Sequence, residues 1–312
     1  AGLGDGSGFA SRAWTPLMEL QPRRNAFVDP DRPRSAQGVT RPRCVLDCLT
    51  GRTGADLLRT RMGNAETLEK LSSPPIVEVI CGVFFSPLPN FDPVVAGTYW
   101  QQRRADFPGH SIHPAAGSPP GLVIGTPPLR TWLISSNDGP FVIQVQADRF
   151  YLNWRRRGDA YPRFSTEHGL LERTLREFAM FTDFCQAELG TRPTPTSIEL
   201  GKIDHLVQGV HWSDKDDLSV LLPSLAPTLS VARATSPEVL LRFREAEEDH
   251  SLQVTLASAR VESSNLIRLE ATVVRRSDSE LREAFEAANR QANEVFAALV
   301  PAEQRHRFQE GE

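Results

Sequence analysis

The sequence predicts an α+β fold of two β-α-β-β-β-α halves, residues 62–190 and 191–312, sharing one curved antiparallel sheet with helices packed on one face. Three observations predict it. The same order of strand-like and helix-like segments runs twice along the chain. Short turns between the strands favour antiparallel pairing. Each half closes on a long helix with one apolar stripe.

Pro74-Pro75 opens Ile76–Phe85, a β-branched and aromatic run of strand length that Pro87 and Pro89 end. Asp92 can N-cap a helix with Pro93 at its first position, running to about Ala105. A Gly/Pro-rich loop over 109–128 is expected next, then a strand at Leu129–Ser135 and a turn at Asn137-Asp138-Gly139. Phe141, Ile143 and Val145 alternate with Val142, Gln144 and Gln146, as a half-buried strand does; Phe150, Leu152 and Trp154 continue the pattern. Ser165 opens a helix whose stripe is Leu171, Leu175, Phe178, Phe181 and Cys185. In the second half, Ile198–Val207 is a strand and Ser213-x-x-Asp216 resembles a capping box before a short helix. Alternation at Val239–Phe243, Leu252–Leu256 and Ile267–Val273 gives three strands, with the acidic run Glu245–Asp249 as the hairpin turn between the first two. Ser277-x-x-Glu280 is a capping box for a last helix carrying Leu281, Phe285, Ala288, Ala292, Phe296 and Leu299. Two such units joined in one sheet are the plan of the TATA-binding-protein-like and helix-grip folds. The two halves show no clear residue identity.

Residues 1–61 read differently. They lack Ile, Lys and Tyr and carry ten Arg against six acids, a net of +4, which leaves −8 on the remaining 251 residues. With so little apolar surface to offset ordering entropy, the segment is expected to be disordered or a non-native extension, with Met62 as the true start. It has no apolar run of roughly 7–15 residues to serve as a secretory signal. No stretch reaches about 18 apolar residues, so no membrane span is expected. The acidic balance argues against a dedicated nucleic-acid binder. Only three of the 35 basic residues are lysines, a skew attributed to genome composition.

Cys44 and Cys48 form a lone C-x3-C without further ligands, and Cys81 and Cys185 read as buried thiols. Such cysteine use fits a reducing cytoplasm. No metal and no cofactor are expected. His110-x-x-His113 in its loop lacks a third ligand, and Asp204-His205 and His211 come without a nucleophile motif. Glu78 and Glu199 hold similar places in the first strand of each half. A carboxylate pair for acid–base work, with His205 as a further candidate, requires that both point into one cavity.

The run Gln144-Val145-Gln146-Ala147-Asp148-Arg149-Phe150-Tyr151-Leu152-Asn153-Trp154-Arg155, with Tyr161-Pro162-Arg163-Phe164 and Pro74–Val79, resembles an uncharacterised, sporadically distributed bacterial protein family. The resemblance spans Pro74 to about Val300. No catalytic residues carry over from it, and its sporadic distribution implies an accessory or defence-type role. Asp148, Arg149, Asn153, Trp154, Arg155, Tyr161 and Arg163 have two readings. As a structural clasp, Asp148 pairs with an Arg across the sheet, Asn153 serves loop backbone groups and Trp154 packs inside. As a recognition patch, Arg155 and Arg163 together grip an anionic group. The functional expectation is a non-enzymatic binding protein for a protein partner or small anionic ligand. An enzyme with a site at the junction of the halves is the alternative. Nucleic-acid binding on the sheet is the third reading; a stripe of Arg149, Arg155, Arg156, Arg157 and Arg163 would favour it. Oligomeric state is open.

Overall fold

The computed structural model describes residues 71–116, 129–136, 139–158, 161–231, 239–261, 263–277 and 280–309. The expected N-terminal extension, Cys44, Cys48 and most of the turn at 137–139 lie outside them. The chain order is β1 (Ile76–Phe85), α1 (Pro93–Arg103), β2 (Gly109–Pro114), β3 (Leu129–Ile134), β4 (Phe141–Gln146), β5 (Arg149–Arg155) and α2 (Leu170–Leu189). It continues with β6 (Pro195–Val207), α3 (Lys215–Leu221), α4 (Ala226–Val231), β7 (Leu240–Ala246), β8 (His250–Val261), β9 (Ser264–Arg276) and α5 (Leu281–Leu299). The nine strands form one open sheet in the order β2-β3-β4-β5-β1-β6-β9-β8-β7, every pair antiparallel. The first strand of each half therefore lies at the centre, and β1 pairs with β6 across the junction.

The expected loop at 109–128 begins with a strand, β2, so the first half has four strands after α1 rather than three. Ile112 is the only apolar side chain among its strand residues besides Pro114, and it is exposed. An edge strand that buries little leaves no period-two apolar signal to read. Two helix starts also move. Asp214, not Ser213, caps α3 by accepting from the Asp216 and Asp217 amides at 2.9 Å, while Ser213 donates to the Asp217 carboxylate. The α2 helix begins at Leu170 rather than near Ser165, because the Leu170 and Leu171 amides turn back to the Arg163 and Phe164 carbonyls. Gly190 ends that helix at φ +67°, a left-handed conformation that glycine adopts without a Cβ clash. Glu280 stands at the N-cap of α5 without a side-chain cap bond.

Alternation decides what each strand buries. On one face Val79, Cys81, Val83 and Phe85 of β1 and Phe150, Leu152 and Trp154 of β5 join the core with α2 and α5. Phe181 of α2 sits at its centre, with ring centroids 5.9 Å from Phe85, 5.5 Å from Phe150 and 5.4 Å from Tyr99. Removing such a ring from water contributes about 2–3 kcal/mol. Cys81 and Cys185 are buried and unpaired, and burial pushes both thiols up to about 12, so they remain protonated and inert.

The α1 helix starts where Asp92 accepts from the Val94 and Val95 amides at 2.9 and 3.0 Å. Asp92→Ala is expected to cost about 1 kcal/mol, read as a lower urea midpoint at unchanged m-value. The helix buries Ala96, Tyr99 and Arg103. That last cation is matched on α2 by Glu177, 2.8 Å away, with both side chains almost wholly inside. No helix among the described residues is long and apolar enough to cross a membrane.

Candidate functional site

The same alternation sorts the candidate residues onto two faces. Arg149, Tyr151, Asn153 and Arg155 of β5 point away from the helices, as do Glu78, Gly82 and Phe84 of β1 opposite them. On that face, helix-free among the described residues, a directed hydrogen-bond chain crosses four strands. Arg130 Nη1 donates to Gln144 Oε1 at 2.9 Å, and Gln144 Nε2 donates to Asn153 Oδ1 at 3.1 Å. Asn153 Nδ2 then donates to Glu78 Oε1 at 2.8 Å, and Arg155 Nε reaches the same oxygen at 3.2 Å. A cation at one end and a carboxylate at the other polarise the amides between them. Trp132 lies beside this chain, with the Arg130 and Arg155 guanidinium carbons 5.2 and 5.1 Å from its ring centroid and the His113 ring at 4.1 Å. Burial and these two arginines hold His113 below the usual histidine range, so it is neutral.

Asp148 pairs with its own neighbour and not with an Arg across the sheet. It accepts from Arg149 at 2.8 and 3.0 Å and from Gln146 at 2.6 Å. Burial opposes its charge, but those bonds outweigh it and keep the carboxyl below its ordinary range. Asn153 serves side chains rather than loop backbone. Glu78 and Glu199 share the face but not a cavity. Glu199 stands opposite Gly82, four residues along the strand from Glu78, about 13 Å away at strand rise. His205, on this face opposite Arg268, is lowered to about 4 by burial and that arginine. It is neutral at physiological pH and a weak base.

Trp154, Tyr161 and Arg163 belong to the other face. Trp154 meets Tyr161 edge-on at 5.3 Å, and Arg163 donates to the Leu71 carbonyl. With the sheet between them, Arg155 and Arg163 do not converge on one anion. The arginine stripe that would favour nucleic-acid binding does not form either, since Arg163 lies behind the sheet and Arg156, which follows β5, reaches the Pro74 carbonyl at 2.7 Å. His110 and His113 likewise part, His110 stacking on Trp100 at 3.9 Å on the helix side.

Tyr161 and Arg163 line a cavity of about 50 Å³ at the junction of the halves, beneath α5. Lys202, Asp204 and Asn293 complete its polar wall, and Ile76, Phe164 and Phe296 part of its apolar wall. Lys202 Nζ donates to Asn293 Oδ1 at 2.5 Å. Asp204 is buried and makes no hydrogen bond among the described residues; burial raises its carboxyl to about 7, against the pull of Lys202 and Arg156. The sequence marks Asp204 only as the neighbour of His205 and does not mark Lys202, yet a signal was present. They interrupt the apolar face Ile198, Leu200, Leu206 of β6.

Two other features are weaker. A groove of about 410 Å³ between α1 and the β2–β3 edge is lined by Val94, Trp100, His110 and Ile112 among others. Glu247, Asp249 and His250 come together at the β7–β8 turn, within ligand distance of one ion. There Asp249 is already held by His250 at 2.9 Å and Arg275 at 3.4 Å.

Charge is also divided between the faces. Strand residues on the helix-free face include seven arginines (130, 149, 155, 242, 244, 268, 276) and three glutamates (78, 199, 270), a net of +4. No family model, no curated protein and no solved structure matches the chain.

Proposed function

We propose that the protein is a non-enzymatic binding protein that receives an acidic protein segment along the helix-free face of its sheet. The observation that carries this reading is the charge division: strand residues of net +4 on this face, or +3 with Asp148 of the β4–β5 turn counted, on a 251-residue stretch whose total is −8. Arg242, Arg244 and Arg276 on that face are exposed and make no ion pair among the described residues. The buried amides of Gln144 and Asn153 and the Trp132 ring supply the neutral floor.

Among the described residues, three of the seven arginines hold a carboxylate: Arg149 with Asp148, Arg155 with Glu78 and Arg268 with Glu270. The exposed charge of Arg242, Arg244 and Arg276 suits carboxylates spaced along an extended chain better than the dense phosphates of a nucleic acid. An accessory or defence-type role is part of the proposal and rests on the family resemblance alone.

Arg242→Glu with Arg244→Glu tests it, since both side chains are exposed and the fold does not depend on them. Anisotropy of a labelled Asp/Glu-rich peptide at low ionic strength is expected to show binding that the double reversal weakens at least tenfold, or about 1.4 kcal/mol. Unchanged binding, or preference for an oligonucleotide over the peptide, overturns the reading.

A further inference from the structure

The junction cavity lies on the opposite side of the sheet from the charged face, so it stands or falls independently of the function proposed above. Its walls bring together one carboxyl group and several donors. Asp204 and Lys202 are two residues apart on one face of β6, about 6.6 Å along the strand, and both border the cavity. Lys202 spends one N–H on Asn293, whose own NH2 group has no partner among the described residues. Arg163 borders the same space and spends one N–H on the Leu71 carbonyl. Asp204 is more than nine-tenths buried, borders the cavity and has no hydrogen-bond partner among the described residues. A buried carboxyl group in that position costs stability unless something in the cavity satisfies it.

We infer that this cavity binds the carboxylate head of a small molecule or of a polypeptide C-terminus. Lys202, Arg163 and the Asn293 amide donate to the incoming oxygens, and protonated Asp204 donates its O–H to one of them. The room suits this size of group. About 50 Å³ is several times the roughly 10–15 Å³ that one water needs, but too little for a ring system. An amine is disfavoured, because Lys202, Arg163 and Arg156 surround the site with positive charge.

The charged and titratable groups facing Asp204 are Lys202 on its own strand, Arg156 following β5, and Tyr161 and Arg163 on the segment before α2. The α5 helix contributes the neutral Asn293, β9 the apolar Leu269 and β1 the apolar Ile76. Binding therefore takes up a proton wherever Asp204 is ionised in the empty protein. With that carboxyl titrating at about 7, the bindable fraction falls about tenfold from pH 6 to pH 8.

Titration calorimetry of the full chain with acetate, with a short peptide bearing a free C-terminus and with its C-terminal amide tests this. Saturable binding is expected for at least one of the two carboxylate probes, tighter at pH 6 than at pH 8 by about tenfold, and none for the amide. Peptide tighter than acetate identifies a chain terminus; acetate alone identifies a free acid. Asp204→Asn is expected to keep binding and lose its pH dependence. Lys202→Met is expected to abolish binding while the far-ultraviolet circular dichroism is retained. Absence of saturable binding for both carboxylates, equal binding of the amide, or a native pH response in Asp204→Asn overturns the inference.

Discussion

Arg103→Met is expected to destabilise the protein by about 3–5 kcal/mol, because it strands Glu177 as an uncompensated charge inside the α1–α2 contact. The side chains of this pair are 6% and 4% exposed, with 2.8 Å between Nη2 and Oε2. Arg173 is the other cation near Glu177, and at 3.9 Å it is too distant to replace a direct bond. Arg103 also lies 5.4 Å from the Phe107 ring centroid and 2.9 Å from the Met180 sulfur, so a methionine there meets apolar and polarisable neighbours. Removing the other charge as well, in Arg103→Met with Glu177→Leu, should recover most of the loss. Urea unfolding of the native, single and double variants measures this. A double variant no more stable than the single one would show that the loss comes from packing and not from the stranded carboxylate.

Asp204→Asn carries the second large effect, and its size depends on pH. In the folded protein the carboxyl titrates at about 7 against an ordinary 3.8, so the folded state holds a proton that the unfolded chain has released. The favourable contribution is complete below the unfolded value and is lost as pH rises from about 4 through 7. Three pH units correspond to on the order of 4 kcal/mol. Asparagine mimics the protonated carboxyl, so the variant should match the native protein at pH 4 and exceed it by a few kcal/mol at pH 8. His205 and His211 act in the opposite sense. Both are lowered to about 4, chiefly by burial, so their contribution is present above 6.5 and disappears as pH falls toward 4. Both variant and native protein share that acid limb. Urea midpoints at pH 4 and pH 8 would refute the idea if Asp204→Asn changed stability equally at both.

The strands were legible wherever one face is apolar. Phe150, Leu152 and Trp154 fixed the orientation of β5 and, with it, the shared outward face of Arg149, Asn153 and Arg155. The same reasoning, applied to Arg155 and Arg163, separates them, because a turn intervenes and the chain re-enters on the helix side. Strand β2 was hidden because an edge strand needs backbone partners more than apolar side chains. Partners far apart in the sequence were equally hidden. Arg103 meets Glu177, and Asn153 meets Glu78, through packing that no local period encodes. The junction cavity had one local sign, a lysine and an aspartate in an otherwise apolar strand face, but its depth depends on how α5 lies over β6.

The pairing of β1 with β6 also governs when the sheet can be completed. The paired residues Cys81 and Leu200 are about 120 positions apart, whereas β3–β4, β4–β5 and β8–β9 join strands that follow one another. Hairpins close in about 1–10 μs, and the long loop pays its closure entropy only after them. During synthesis at about 5–20 residues per second, β1 can pair with β5 yet keeps its other edge open for several seconds until β6 emerges. That edge is IVEVICGVFF, an apolar, β-branched template for intermolecular pairing. The centre of the finished sheet is thus the nascent chain's most exposed hazard, and the yield of folded protein depends on how soon the second half arrives to cover it.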